Sequence, residues 1–111
     1  MFSKYTAFSS SDGTKKCFKN NFLHREDGPA IEDVDGHKEW YINGKLHRED
    51  GPAIEFADGD KEWYINGKRH REDGPAVEYV DGYKFWYYHG IYMDCQSQEE
   101  FERLINLKVF W

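Results

Sequence analysis

Residues 24–46 read HREDGPAIEDVDGHKEWYINGKL, and residues 47–69 read HREDGPAIEFADGDKEWYINGKR. The two stretches differ only at Asp33/Phe56, Val34/Ala57, His37/Asp60 and Leu46/Arg69, and residues 70–92 return to the pattern more loosely from His70. A period of 23 residues sets the architecture, because each copy is one supersecondary unit that buries its apolar side only by stacking on its neighbours. It also bears on function. An enzyme needs one site, whereas a tandem array supplies the same residue three times.

Within a copy, Pro52-Ala53-Ile54-Glu55-Phe56 alternates and is partly β-branched, and Ala57-Asp58-Gly59-Asp60 then reverses the chain, so a strand and a turn are expected. A second strand, Lys61-Glu62-Trp63-Tyr64-Ile65, ends at Asn66-Gly67, the dipeptide suited to the positive φ angles of a type I′ hairpin turn. Lys68-Arg69-His70-Arg71 pairs back. At the corner Glu72-Asp73-Gly74-Pro75, the glycine is expected to accept an unusual backbone angle and the proline to fix φ at the strand start. No stretch from 24 to 92 keeps a helical apolar period between its Gly and Pro breaks.

Alternation puts Ile54, Phe56, Trp63 and Ile65 on one side, with Ile31, Trp40 and Ile42 before them and Val77, Tyr79, Trp86 and Tyr88 after them. This is the expected core side. The other side then carries Glu39, Tyr41, Glu62, Tyr64, Phe85 and Tyr87 with Glu32, Glu55 and Glu78, an aromatic stripe edged by carboxylates that is expected to meet a partner. A register slip of one residue would exchange the two sides.

Extended backwards, the period aligns Asp12-Gly13 with Asp35-Gly36, Cys17-Phe18 with Trp40-Tyr41, and Leu23 with Leu46. Residues 1–23 are thus a degenerate first repeat, ahead of a first, second and third full copy at residues 24–46, 47–69 and 70–92. The pattern fails after Gly90, and residues 93–111 form the other end. There Ser97-Gln98-Glu99-Glu100 is a capping box, and Phe101, Leu104 and Ile105 make the apolar stripe of a helix of about ten residues. With Val109-Phe110-Trp111, this helix is expected to lie over the last repeats as a cap, or to offer a docking or dimer surface. The whole chain of 111 residues reads as one mainly β domain: an elongated single antiparallel sheet of stacked hairpins with a C-terminal capping helix.

Composition narrows the function. The net charge is −6, but Lys4, Lys15, Lys16 and Lys19 against Asp12 make residues 1–23 net +3, leaving −9 on residues 24–111. Such an acidic comb argues against a duplex DNA binder, which needs clustered Lys and Arg, and fits a cationic protein partner better. Neither a signal-peptide-like stretch near the start nor an apolar run of membrane-span length is present, so a cytoplasmic protein of a bacterial or host cell is expected. Cys17 and Cys95 lie far apart without CxxC spacing, as thiols in a reducing compartment do.

At Asn66-Gly67-Lys68-Arg69-His70, preceded by an aromatic strand and by Ala57-Asp58-Gly59-Asp60, the unit resembles the MORN repeat, and the resemblance spans residues 1–92. That family also has 23-residue units with an aromatic strand, an NG-type turn and a histidine three residues later. Arg71-Glu72-Asp73-Gly74-Pro75 stands in place of the family's Gly-x-Gly element, Glu62 where its strand glycine is expected, and Tyr64 rather than Trp63 aligns with its Trp. The unit is similar to HREDGPA-type variants of small bacterial, phage and giant-virus proteins. The resemblance implies a twisted sheet of stacked hairpins serving as a scaffold or protein-binding surface. A membrane role does not suit repeats this acidic.

No catalytic, metal or cofactor site is expected. His24, His47 and His70 recur at about two strand spacings, roughly 9–10 Å, too far apart to share one zinc with ligand distances of about 2.1 Å. Each is expected to hydrogen-bond a neighbouring turn, while Arg25, Arg48 and Arg71 pair with acids of the next unit. Asp33-Val34-Asp35-Gly36 resembles the opening of a calcium loop, but Phe56 replaces Asp33 in the next copy. No nucleophile elbow or phosphate loop is present. The expected function is therefore non-enzymatic: binding of a protein partner, with no direct nucleic-acid or membrane contact, by a monomer or weak homodimer. Trp40, Tyr41, Trp63, Tyr64, Trp86 and Tyr87 are the expected anchors and Glu32, Glu55 and Glu78 the rim. The alternative is an inhibitor of a host defence nuclease, of anti-CRISPR or anti-restriction class, whose carboxylates imitate nucleic-acid phosphates.

Overall fold

A computed structural model of the chain describes residues 5–107. The chain forms a slab 47 × 33 × 16 Å, one sheet thick over most of its length. Ten short strands make one antiparallel meander running from Tyr5–Ser9 through Lys15–Lys19, Ile31–Glu32, Lys38–Glu39, Ile54–Glu55, Lys61–Glu62 and Val77–Glu78 to Lys84–Tyr88 and Ile91–Met93, with Phe22–Leu23 paired to Lys15–Lys19. Two further hairpins, Tyr41–Ile42 with Lys45–Leu46 and Tyr64–Ile65 with Lys68–Arg69, stand beside it. The expected mainly β repeat sheet with a terminal helix is the observed architecture. The closing Val109-Phe110-Trp111 segment lies outside the described residues.

The expected second strand of each middle copy is split in two. Trp40 and Trp63 donate their backbone N–H to Ala53 and Ala76 of the next copy at 2.8 and 2.7 Å, and their carbonyls accept from His47 and His70. Each tryptophan is thus the pivot between the sheet and the side hairpin. The side hairpins turn as expected: Asn43 and Asn66 have φ of 51°, each followed by a glycine at positive φ, and His89-Gly90 repeats the geometry. The hairpins also stack, because Gly44, Gly67 and Gly90 donate to the carbonyls of Leu23, Leu46 and Arg69 one copy earlier, each at 2.8 Å.

Cross-strand register corrects the expected faces. Ile54 lies opposite Glu62, and Val77 lies opposite both Glu62 and Phe85, while Glu55 lies opposite Lys61 and Lys38. Residues directly opposite share a face. Hence Ile31, Ile54, Phe56, Val77 and Tyr79 join Glu39, Glu62 and the tyrosines, whereas Glu32, Glu55 and Glu78 move to the tryptophan side. Each copy's first strand had been placed one residue out of phase with its second.

Small residues lie at the centre of the slab: Ala30, Ala53 and Ala76 are at most 1% exposed, with Ile54 and Val77 beside them. The largest apolar cluster sits at the C-terminal end, where Phe101 is fully buried among Trp86, Met93 and Cys95, with Tyr88, Leu104 and Ile105 packed against them. The helix Gln98–Leu107 therefore caps the last repeat, as its apolar stripe predicts. Ser97 Oγ accepts from Glu100 N–H at 3.1 Å, while the Glu100 carboxylate reaches one residue further back than the usual box, accepting from Gln96 N–H at 2.8 Å.

Two faces and a candidate interface

The tryptophan face is assembled from the invariant HREDGP segment. In the second copy, Arg48 donates from Nε to Asp50 at 3.0 Å and from Nη1 to the Pro52 carbonyl and to Glu55, both at 3.0 Å. Its guanidinium lies 3.8 Å over the Trp40 ring of the copy before. Arg71 repeats every contact, with Asp73, the Pro75 carbonyl and Glu78, 3.9 Å over Trp63. Arg25 makes the same bonds to Asp27, the Pro29 carbonyl and Glu32, with Cys17 at the tryptophan position of the degenerate copy. These arginines thus pair within their own unit, not with the next one as expected, and reach the neighbouring copy by ring stacking.

Gly74 has a different task from the expected one. Among the described residues, Gly28, Gly51 and Gly74 are absent from the positive-φ set. A Cβ on Gly74 would lie 2.6 Å from Arg71 Cζ, and one on Gly51 would lie 2.9 Å from Arg48 Cζ. A side chain there would have to displace the guanidinium that crosses the backbone.

The histidines lock the same face. His24, His47 and His70 each accept at Nδ1 the backbone N–H of Asn43, Asn66 and His89, at 2.9, 3.0 and 2.8 Å. Because Nδ1 accepts, the proton of the neutral ring sits on Nε2, which faces Glu26, Glu49 and Glu72 at 3.0–3.1 Å. Each ring is a brace on an NG-type turn, the structural role expected of it.

At the C-terminal end the pile is closed differently. Asp94 stands 23 positions after Arg71, and among the described residues no arginine stacks on Trp86. The helix covers it instead, and Gln98 Oε1 accepts from its indole N–H at 2.8 Å. Trp86 is 6% exposed and Cys95 lies beside it, its thiol pushed up by burial.

The opposite face carries the tyrosines. Tyr41 donates its hydroxyl to Glu39 Oε1 at 2.7 Å, and Tyr64 donates to Glu62 Oε1 at 2.8 Å. Burial, reinforced by these carboxylates, raises both phenols; Tyr64 is pushed up to about 12, with Arg69 working against the shift. His37 Nε2 sits 2.6 Å from Glu39 Oε2, and its ring centroid is 5.3 Å from that of Phe56 in the next copy. Towards the helix the face becomes wholly aromatic: Tyr79–Phe85, Phe85–Tyr92 and Tyr87–Tyr92 have ring centroids 5.9, 6.4 and 5.5 Å apart.

The nine expected contact residues therefore do not form one patch. Tyr41, Tyr64 and Tyr87 line the tyrosine face. Trp40 and Trp63 lie beneath arginines on the other face, Trp86 lies beneath the helix, and Glu32, Glu55 and Glu78 hold Arg25, Arg48 and Arg71. The tyrosine face is completed by Arg69, whose Nη2 is 3.3 Å from Glu62, by Tyr83 and Tyr92, which were not among the expected contacts, and by Tyr79, expected on the core side but exposed. The sequence carries a signal for them: they occupy positions at which the copies differ.

Among the described residues no group of three or more His, Cys, Asp or Glu side chains is arranged to hold a metal ion, and no helix is long and apolar enough to cross a membrane. Comparison with protein-family models, curated proteins and solved structures finds no match for the chain.

Proposed function

We propose that the chain is a non-catalytic, MORN-like interaction module, working in the cytoplasm, that binds a protein partner through the tyrosine face. The observation carrying this reading is where the copies depart from one another. At three of the four differences between residues 24–46 and 47–69 the tyrosine face changes: Phe56 stands where Asp33 does and packs on His37, His37 bonds Glu39 where Asp60 instead reaches the Val80 amide, and Leu46 and Arg69 lie opposite Tyr41 and Tyr64; the fourth is at the turn. In the third copy the same positions become Tyr79, Tyr83 and Tyr92. The Arg, Trp and His of the framework stand at the same positions in residues 24–46, 47–69 and 70–92 and stay fixed. A surface that changes copy by copy over a constant framework suits a partner that is not itself repetitive, and rigid tyrosines are effective anchors in such contacts.

Less supports phosphate mimicry by Glu32, Glu55 and Glu78. Each carboxylate is ion-paired to an arginine of its own copy and lies opposite lysines in the sheet, so its charge is largely spent inside the molecule. Affinity capture of the partner by wild-type chain and by the Tyr64→Ala and Tyr87→Ala variants tests the proposal. Loss of capture with retained circular dichroism is expected, and undiminished capture would remove the tyrosine face from the interface. Competition by DNA with steep salt dependence would instead favour mimicry.

A further inference from the structure

We propose that the slot formed by Glu39, Tyr41 and Tyr64 receives an arginine side chain of the partner protein, an inference that rests on the tyrosine face being the interface. The molecule contains its own template. One copy later, the same set is Glu62, Tyr64 and Tyr87, and Arg69 occupies it: Cζ lies 5.8 and 5.3 Å from the Tyr64 and Tyr87 ring centroids, and Nε and Nη2 lie 3.4 and 3.3 Å from Glu62 Oε1. That oxygen also accepts the Tyr64 hydroxyl. In the earlier copy the residue opposite Tyr41 is Leu46, which has no donor to offer Glu39.

The carboxylate chemistry favours an incoming guanidinium. Glu39 Oε1 takes the Tyr41 hydroxyl, whereas His37 lies on the other oxygen, Oε2. The oxygen corresponding to the one that Arg69 uses is thus engaged by a single tyrosine, and a carboxylate oxygen has room for two donors. The Tyr41 phenol is held up by burial and by Glu39 without the opposing cation that acts on Tyr64. Residues 24–111 carry a net −9, so a basic partner is drawn towards the repeats. Arginine suits the slot better than lysine because its plane stacks between rings while its edge meets the carboxylate. The third copy has Phe85 and Tyr92 in place of the glutamate and arginine, so it presents rings without the carboxylate.

The test is a titration of the 15N-labelled full chain with acetyl-Gly-Arg-Gly-amide, followed by amide chemical shifts. Saturable shifts at Glu39–Ile42 and Tyr64 are expected with the arginine peptide and not with its leucine analogue. Glu39→Gln should weaken the binding about tenfold, the equivalent of one charge-assisted contact. Leu46→Arg, which gives the first copy the residue the second already tolerates, should fill the slot from within and abolish the shifts at unchanged melting temperature. No saturable shifts, equal shifts with the leucine peptide, or full binding by Leu46→Arg would overturn the inference. If the peptide fails while Tyr64→Ala still loses the partner, the arginine slot alone falls; if capture survives Tyr64→Ala, the interface itself falls.

Discussion

Arg48 lies 3.8 Å above the Trp40 ring of the preceding copy while its own copy holds it through Asp50, the Pro52 carbonyl and Glu55. One side chain thus belongs to two repeats, and the same arrangement recurs at Arg71 and Trp63. Besides the two-residue sheet pairings, the Trp–Ala backbone bonds and the stacked hairpin turns, this pile couples neighbouring copies through side chains, while the histidine braces hold the turn of their own copy. Arg48→Lys keeps the charge but loses the planar stack and the fork, and should cost about 1–2 kcal/mol in urea unfolding. A stability equal to wild type would show the stack to be idle.

Replacing His70 removes the acceptor for the His89 backbone N–H in a position 8% exposed. His70→Ala should destabilise the chain by about 0.5–1.5 kcal/mol, the net worth of one hydrogen bond to a turn amide. Independently, 15N spectra of the imidazoles of His24, His47 and His70 should show Nδ1 unprotonated and Nε2 protonated at neutral pH. The opposite tautomer would contradict the brace.

The raised phenol of Tyr64 gives a signed pH dependence. Its folded-state value, about 12, exceeds the ordinary tyrosine value of 10, so its contribution is fully present below pH 10 and is lost as pH rises towards 12. Thermal melts from pH 8 to 12 should therefore fall across that upper window, and Tyr64→Phe should flatten part of the fall. An unchanged profile in Tyr64→Phe would assign the loss elsewhere.

Phe101 is fully buried in the C-terminal cluster. Phe101→Ala should cost about 3–5 kcal/mol, a large share of the stability of a domain this size. It should also expose Trp86, shifting its fluorescence to longer wavelength. A small loss with unmoved emission would mean that the helix is not the cap described above.

The period, the two kinds of turn and the capping helix were all legible in the sequence, because each rests on local chemistry: Asn-Gly at φ-positive turns, Ser97 and Glu100 at a helix start, Phe101 at the right spacing for burial. The faces were not. Alternation within Ile54–Glu55 and within Lys61–Glu62 is correct for each strand alone, but the register between them is set by the turn Phe56–Asp60, whose loop closes with Phe56 N–H on the Asp60 carbonyl. That pairing puts Ile54 beside Glu62, an apolar residue opposite a carboxylate, which hydrophobic patterning would not choose. Glu62 is tolerated in this 7% exposed place because Tyr64 and Arg69 bond it. The arginine pile was missed for a related reason: a charged residue next to Glu and Asp reads as solvated surface until a tryptophan is known to lie beneath it.

The central claim is that a constant framework displays a variable face. It is tested most directly by making the first full copy identical to the second on that face, through Asp33→Phe, His37→Asp and Leu46→Arg together, and comparing partner capture and melting temperature with wild type. The account predicts a melting temperature close to wild type and lost capture; undiminished capture, or collapse of the fold, would contradict it.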